Sequence, residues 1–147
     1  MLPGKSRILA LDLGGRRIGL AVSDELGITA QGLPTLERRN LRTDLDKLAE
    51  MIQRYEVRLV IAGNPLHMSG RESPGSVRAA EFAAQLTARA GVEVRLWDER
   101  LTTQQASRVL RESGISLQKR KRAVDQLSAV LILQSYLAAL EAGGTAP

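Results

Sequence analysis

The chain contains no cysteine, a single histidine and few aromatic residues. Its 147 residues include one His, at position 67, and 3% Phe, Trp and Tyr. Without cysteine there are no disulfides, thiolate zinc sites or cysteine nucleophiles. One histidine also rules out a metal site built from several histidines. Oxygen ligands, which suit hard cations, are what this composition leaves for a metal site.

Long apolar runs are absent as well. No segment approaches the roughly 20 apolar residues of a membrane span. The first four residues lead into the first predicted strand without a signal-peptide pattern. We therefore expect a cytoplasmic protein with no membrane partner, either a monomer or a homodimer. The length suits one domain, which we place at residues 1–142, with a flexible tail at 143–147.

The charge is positive. Lys and Arg number 21 against 16 Asp and Glu, which gives a formal net charge of +5 and a pI near 10.2. An arginine-rich excess favours polyanionic partners such as nucleic acid, because guanidinium groups match phosphate oxygens. General solubility is the alternative explanation. The positions of the basic residues along the chain distinguish a polyanionic partner from general solubility.

The apolar pattern predicts a mixed α/β domain. Strands are predicted at about 8–12, 17–23, 28–33, 57–62 and 92–97, helices at 41–55, 76–90, 102–112 and 124–140, and polar connections at 66–75 and 116–122. Hairpin-linked strands followed by helix-linked strands predict a mixed five-stranded sheet with helices on both faces. This order resembles that of the ribonuclease H-like fold.

Asp12 is the first candidate site residue. It ends the apolar run Ile8–Leu11, which reads as a central strand covered on both faces. A charge at the tip of such a strand needs a partner, for example a metal ion. The alternative is an aspartate that caps the turn before Gly14 and Gly15.

Asp98 and Glu99 end the last predicted strand. Alternation gives Asp98 the face of Leu96 and Glu99 the face of Trp97, so only one of the two acids would join Asp12 directly. Both could instead be charges that complement the dipole of the helix that follows. Arg100 beside them is a possible counter-charge or phosphate contact.

Asp125 lies in the first turn of the last predicted helix. Taken alone, it could simply complement the helix dipole. It also begins a stripe with Ser128, Ala129, Ile132 and Tyr136 at helical spacing. Small and apolar neighbours allow close approach to the sheet, so we expect Asp125 to point inward, toward the strand ends.

Three converging carboxylates suit Mg²⁺ or Mn²⁺, which take oxygen ligands and keep waters for a substrate. Such ions can activate a water and stabilise the leaving oxygen of a phosphodiester. These residue types therefore fit nuclease chemistry, with Asp12 as the anchor of the metal.

Other motifs in the sequence give weaker indications of function. The stretch from Gly14 to Gly19 is neither a Walker sequence nor G-x-G-x-x-G, and a hairpin rather than a helix follows it. The phosphate loop of actin-like and sugar-kinase ATPases uses a similar Asp-x-Gly hairpin. Those enzymes need a second similar domain to close on ATP, and a chain of 147 residues is too short to hold one. His67 and Ser69, two residues apart in a polar loop, are expected to be surface groups.

Four stretches together resemble the YqgF (RuvX) family of Holliday junction resolvase-like nucleases. They are Asp12 to Asp24 (DLGGRRIGLAVSD), Gly63 to Leu66 (GNPL), Asp98 to Thr103 (DERLTT) and Val124 to Gln134 (VDQLSAVLILQ). Their order and spacing cover essentially the whole chain, and the combination is far more specific than any one motif.

The resemblance implies a ribonuclease H-like fold and a bacterial, metal-dependent nuclease that matures the 5′ end of 16S ribosomal RNA. Some family members are described as resolving Holliday junctions. Carried over by motif, the acids are Asp12, Glu99 or its neighbour Asp98, and Asp125. In the classical resolvases of this fold an acid ends the fourth strand, but here that corner is Asn64.

Basic residues near these acids are candidates for holding the nucleic acid backbone. They are Arg16, Arg17, Arg71, Arg100, Lys119, Arg120, Lys121 and Arg122. The run at 119–122 directly precedes Asp125, although a solvated connector would look the same. A non-catalytic ribosome-assembly factor that keeps the acids for folding is the rival from another functional class.

Overall fold

The computed structural model describes residues 6–65, 70–71, 73–98 and 117–141, with the backbone alone for 117–126 and 141. The strands are β1 Arg7–Leu13, β2 Arg17–Ser23, β3 Ala30–Glu37, β4 Val57–Asn64 and β5 Glu93–Asp98. The helices are α1 Leu41–Arg54, α2 Pro74–Ala90 and α3 Leu117–Glu141. The helix predicted at 102–112 and the tail at 143–147 lie outside the described residues. No helix within the described ranges combines the length and apolarity that a membrane crossing requires.

The five strands form one mixed sheet in the order β3-β2-β1-β4-β5. β2 is antiparallel to both β1 and β3, whereas β4 is parallel to both β1 and β5. The predicted mixed five-stranded sheet is therefore confirmed. The carboxyl ends of β1, β4 and β5 meet at one edge, where the chain leaves β1 toward β2 and leaves β4 toward α2. Crevices form at such diverging connections.

Side-chain alternation along the central strand fills two cores. Leu9 and Leu11 of β1 pack with residues of α1 and α2, whereas Ile8 and Ala10 pack with residues of α3. All four are at most 1% exposed. Helices thus cover both faces of the sheet, which explains why β1 is apolar on both sides.

Side-chain caps set where α1 and α2 begin. The carboxamide of Asn40 accepts from Thr43 N in α1, and the Ser73 hydroxyl accepts from Ser76 N in α2. Pro74 occupies the first turn of α2, where its missing N–H costs nothing. α2 therefore starts two residues before the predicted Ser76, and it ends as predicted at Gly91, which has a left-handed φ of 67°.

The predicted connector at 116–122 is wrong, because α3 already begins at Leu117. Lysine, arginine and glutamine are good helix formers, and no glycine or proline interrupts the stretch before Val124. The basic run at 119–122 therefore lies on the helix and is not a loop.

The predicted bounds of β3, about 28–33, are shifted by the turn before it. Residues Ile28 and Thr29 belong to that turn, because their N–H groups donate to the Asp24 carboxylate over 2.7 and 3.1 Å. The strand runs on to Glu37, past Pro34. Proline is tolerated here because β3 is an edge strand and needs no outward N–H bond.

The Asp24 carboxyl is expected to titrate below its ordinary pKa. The N–H groups of Thr29 and Ile28 hold this pKa below the usual value of 3.8. A lowered folded-state pKa stabilises the turn above the unfolded pKa, and the stabilisation is lost as the pH falls through the folded value. An NMR titration of the Asp24 carboxyl carbon checks this, and a midpoint at or above 3.8 would contradict it.

Candidate active site

Asp12 lies at the carboxyl end of β1, where the β1–β2 hairpin turns. It pairs across the hairpin with Gly19, and its carbonyl oxygen accepts from Gly14 N over 3.1 Å. Its side chain is half-buried. This is the strand-tip position expected from the sequence, on the central strand of the sheet.

Gly14 makes the turn after Asp12 possible through its lack of a side chain. A Cβ at position 14 would lie 2.6 Å from the carbonyl oxygen of Arg17, which accepts from Gly14 N over 3.0 Å. At Gly15 a Cβ would meet no atom of the described residues within 4 Å. The close approach of the Arg17 carbonyl oxygen thus requires glycine at position 14, whereas no such contact requires it at position 15.

Alternation separates Asp12 from Asp98. Asp12 continues the row of Ile8 and Ala10, which faces α3. Asp98 continues the row of Val94 and Leu96, which packs against the core on the α1 and α2 side. The two acids therefore occupy opposite faces of the sheet.

Asn64 ends β4 beside Asp98. The two residues are direct partners in the parallel pairing of β4 and β5. The Asn64 Oδ1 atom is buried and has no hydrogen-bond partner among the residues that the structure describes. A buried acceptor without a partner costs about 1–3 kcal/mol, so a donor or a cation would be favoured at this oxygen, on the face of the sheet that carries Asp98.

The helix stripe predicted below Asp125 is buried in four of its five members. Ser128, Ala129 and Ile132 are 0% exposed and Tyr136 is 1% exposed. The Asp125 side chain itself lies outside the described residues. Ser128 Oγ, one helical turn further along, is buried, and no described group forms a hydrogen bond with it.

β5 fixes the position of α3 through polar contacts. The Trp97 indole donates to Ser135 Oγ over 3.1 Å and stands edge-on to the Tyr136 ring, with centroids 5.2 Å apart. Arg95 Nη1 donates to Tyr136 Oη over 3.0 Å. Trp97 therefore packs at the end of β5, and its ring lies on the face covered by α3.

The remaining predicted site residues fall into two groups. Arg16 and Arg71 are exposed, and Arg17 lies 3.9 Å from the Glu37 carboxylate. The other group lies outside the described side chains: Glu99, Arg100, Asp125, Lys119, Arg120, Lys121 and Arg122, together with His67 and Ser69. Among the acidic and histidine side chains that the structure does describe, no three form a metal-binding group.

Two residues near the strand tips were missed by the sequence reasoning. Arg38 Nη1 donates to the carbonyl oxygen of Gly14 over 3.0 Å, and its Nε lies 3.4 Å from the buried carboxylate of Asp44. The only sequence signal is an arginine just before a helix cap and an acid in the first turn. Such a signal cannot show that the arginine reaches back to the β1–β2 turn.

Comparison with solved structures defines the fold class. The chain is similar to RuvC of T. thermophilus in complex with a Holliday junction substrate, with a TM-score of 0.60, 15% identity and coverage of 93% of this chain and 96% of that one. It is also similar to the fowlpox virus resolvase in complex with Holliday junction DNA, with a TM-score of 0.55, 17% identity and coverage of 91% and 98%. These likenesses and the sheet order define a ribonuclease H-like fold.

Comparison of sequences defines the family. The RuvX family, described as Holliday junction resolvase, matches residues 6–139. A protein of Koribacter versatilis named "Putative pre-16S rRNA nuclease" is 58% identical over 131 residues, which cover 89% of this chain and 86% of that protein. One of the same name from Moorella thermoacetica is 46% identical, with coverage of 94% and 99%. The chain belongs to the RuvX family, as its sequence motifs indicated.

Proposed function

We propose that this protein is a divalent-metal-dependent nuclease that hydrolyses phosphodiester bonds during maturation of the 5′ end of pre-16S ribosomal RNA. The observation that carries the proposal is the position of Asp12. Its carboxylate ends the central strand of a ribonuclease H-like sheet, on the face that α3 covers. The names of the relatives supply the substrate.

Asp12, Glu99 and Asp125 are the residues that we assign to the metal. Trp97 lies on the α3 face, and strand alternation would give residue 99 the same face as residue 97. Asp98 belongs to the other face, which favours Glu99 as the middle acid. Asp125 precedes the buried Ser128 and Ala129 by three and four residues, and this helical spacing supports a position of Asp125 on the side of α3 that faces the sheet.

The donors at this site fit Mg²⁺ or Mn²⁺. The assigned ligands are carboxylates, and carboxylate oxygens are the donors that these cations prefer. The metal would supply activation of a water and stabilisation of the leaving oxygen. The chain would supply the geometry, since the β1–β2 turn fixes Asp12 and α3 carries Asp125.

Basic residues around the strand tips would hold the nucleic acid backbone. Arg16 and Arg71 are exposed and lie in the segments that follow β1 and β4. We also assign this role to Arg17, Arg100 and the run Lys119, Arg120, Lys121 and Arg122. The run lies in the first two turns of α3, directly before Asp125.

A second candidate is resolution of branched DNA. It is favoured by the description of the family and by the likeness in fold to RuvC bound to a Holliday junction. Both reactions hydrolyse phosphodiesters, so the same carboxylates would serve either one. A non-catalytic role in ribosome assembly is the third outcome.

The purified protein should cleave a precursor 16S RNA fragment in the presence of Mg²⁺ or Mn²⁺, with less or no cleavage of a four-way DNA junction. Both substrates are incubated with each metal and with EDTA, and the products are resolved on a denaturing gel. Cleavage of the junction alone would favour the resolvase function. Cleavage of neither substrate with either metal, while RNA is still bound, would favour the assembly factor.

A further inference from the structure

A cleft opens between α1 and α2 at the carboxyl ends of β1 and β4. Its volume is about 310 Å³, at the lower end of the range in which ligand pockets are found. One wall is the end of β1 and its turn, Leu13 to Gly15, and the other is the first half of α2. The cleft lies on the face of the sheet opposite α3, so it is separate from the Asp12 face.

A fixed arginine lines this cleft. The guanidinium of Arg38 lies over the Phe82 ring, 5.5 Å from its centroid, and its Nη1 donates to the carbonyl oxygen of Gly14. Its Nε faces Asp44, which is 1% exposed and also accepts from Arg39 N over 3.1 Å. The Arg38 side chain is still 29% exposed. A guanidinium plane held in place before binding loses little entropy when a ligand stacks on it.

The other lining residues combine apolar surface with hydrogen-bonding groups. Leu41 is an apolar residue that is 42% exposed, and it shares the lining with Arg78, Glu81 and Gln85. A nucleobase needs this combination, since it stacks on apolar or guanidinium surfaces and hydrogen-bonds through its edge. Arg78 on the rim supplies a charge for the phosphate, and Glu81 is an acceptor for an exocyclic amino group.

The cleft and the Asp12 site are linked through the chain itself. Asp12 is followed immediately by Leu13, Gly14 and Gly15, which line the cleft. A nucleic acid strand that crosses the tips of β1 and β4 would therefore contact both the Asp12 site on one face of the sheet and the cleft on the other. The connections of β1 and β4 diverge at this place, which leaves room for a ligand.

We propose that the α1–α2 cleft binds one unpaired nucleotide of the substrate strand, next to the bond that is cut at the Asp12 face. The base stacks on Arg38 and against Leu41, and its phosphate meets Arg78. This inference rests on the proposed function, because it assumes a nucleic acid substrate. It adds a requirement for a single-stranded segment beside the scissile bond.

The test measures binding without cleavage. Fluorescence anisotropy in EDTA follows a 12-nucleotide, fluorescein-labelled single-stranded RNA of mixed sequence and an abasic strand of equal length. Leu41→Ala should weaken binding of the intact RNA by about threefold or more and leave binding of the abasic strand unchanged. Arg78→Glu should weaken binding of both strands by about fivefold or more and lower the salt slope by about 0.7 for the lost phosphate contact.

Matched controls carry the same changes away from the cleft. Leu26→Ala removes a leucine that is 74% exposed in the β2–β3 turn, and Arg58→Glu reverses an exposed charge at the amino end of β4. Both should bind RNA like the unmodified protein. Equal losses in test and control variants, or equal losses with intact and abasic strands for Leu41→Ala, would overturn the cleft assignment alone. If the unmodified protein binds no RNA, the proposed function falls together with the cleft.

Discussion

Asp12→Asn is expected to lower metal-dependent cleavage of RNA by at least about a hundredfold while leaving RNA binding intact. A bound metal supplies several kcal/mol of transition-state stabilisation, and each 1.4 kcal/mol corresponds to about a tenfold change in rate. The amide keeps the shape of the side chain but removes the charge that anchors the cation. Initial rates with saturating Mn²⁺, compared with anisotropy measured in EDTA, separate the two effects.

The melting temperature of Asp12→Asn should be unchanged or higher. Carboxylates gathered without a cation repel each other, and removing one charge relieves that repulsion. Asp46→Asn is the matched control, because Asp46 is an exposed aspartate that pairs with Arg89 and has no proposed part in binding the metal. It should cleave at the normal rate. Undiminished cleavage by Asp12→Asn would refute the metal assignment.

Gly14→Ala is expected to lower both stability and activity, whereas the same change at Gly15 should not lower stability. The new methyl group at position 14 would approach the Arg17 carbonyl oxygen to 2.6 Å, so the turn has to open. Overpacking of this kind costs about 1–3 kcal/mol. A displacement of about 1 Å at a catalytic group can lower the rate by about a hundredfold, and Asp12 is two residues away.

Gly15→Ala serves as the control in the adjacent position. A Cβ there meets no atom within 4 Å in the part of the chain that the structure describes, and φ is not in the left-handed region. A glycine replaced at such a position leaves stability unchanged or raises it by about 0.4–1 kcal/mol. Urea denaturation and cleavage rates of the two variants give the comparison. Equal behaviour of Gly14→Ala and Gly15→Ala would show that the close approach to Arg17 does not fix the turn.

The features that were predictable from sequence are those that depend on local pattern. The continuous apolar run before Asp12 predicted a central strand, and the four-residue stripe from Ser128 to Tyr136 predicted the buried face of α3. Both are confirmed. Alternation also predicted that Asp98 and Glu99 face opposite ways, which stays a prediction because Glu99 lies outside the described residues. Alternation could not show which face of the sheet carries Asp12, because that depends on the face against which α3 packs.

The failures come from interactions between distant segments. The end of β3 was placed too early, since the strand runs on past Pro34, a residue that is tolerated because β3 lies at the edge of the sheet. The start of α3 was placed too late because polarity at 117–122 was read as a loop signal, although those residues favour helix. The contact of Arg38 with the turn at Gly14 joins residues 24 positions apart, and no local pattern encodes it.

The late position of α3 in the sequence also determines when the core of the protein can be completed. This helix covers β1, β2 and β3, the first strands to be synthesised, and its residues follow them by about a hundred positions. Long-range contacts of this kind form late in folding. A growing chain therefore carries the apolar row of Ile8 and Ala10 uncovered until α3 has emerged. The helix that carries Asp125 is the same element that completes the core, so the proposed ligand Asp125 would reach the site only when the fold is complete.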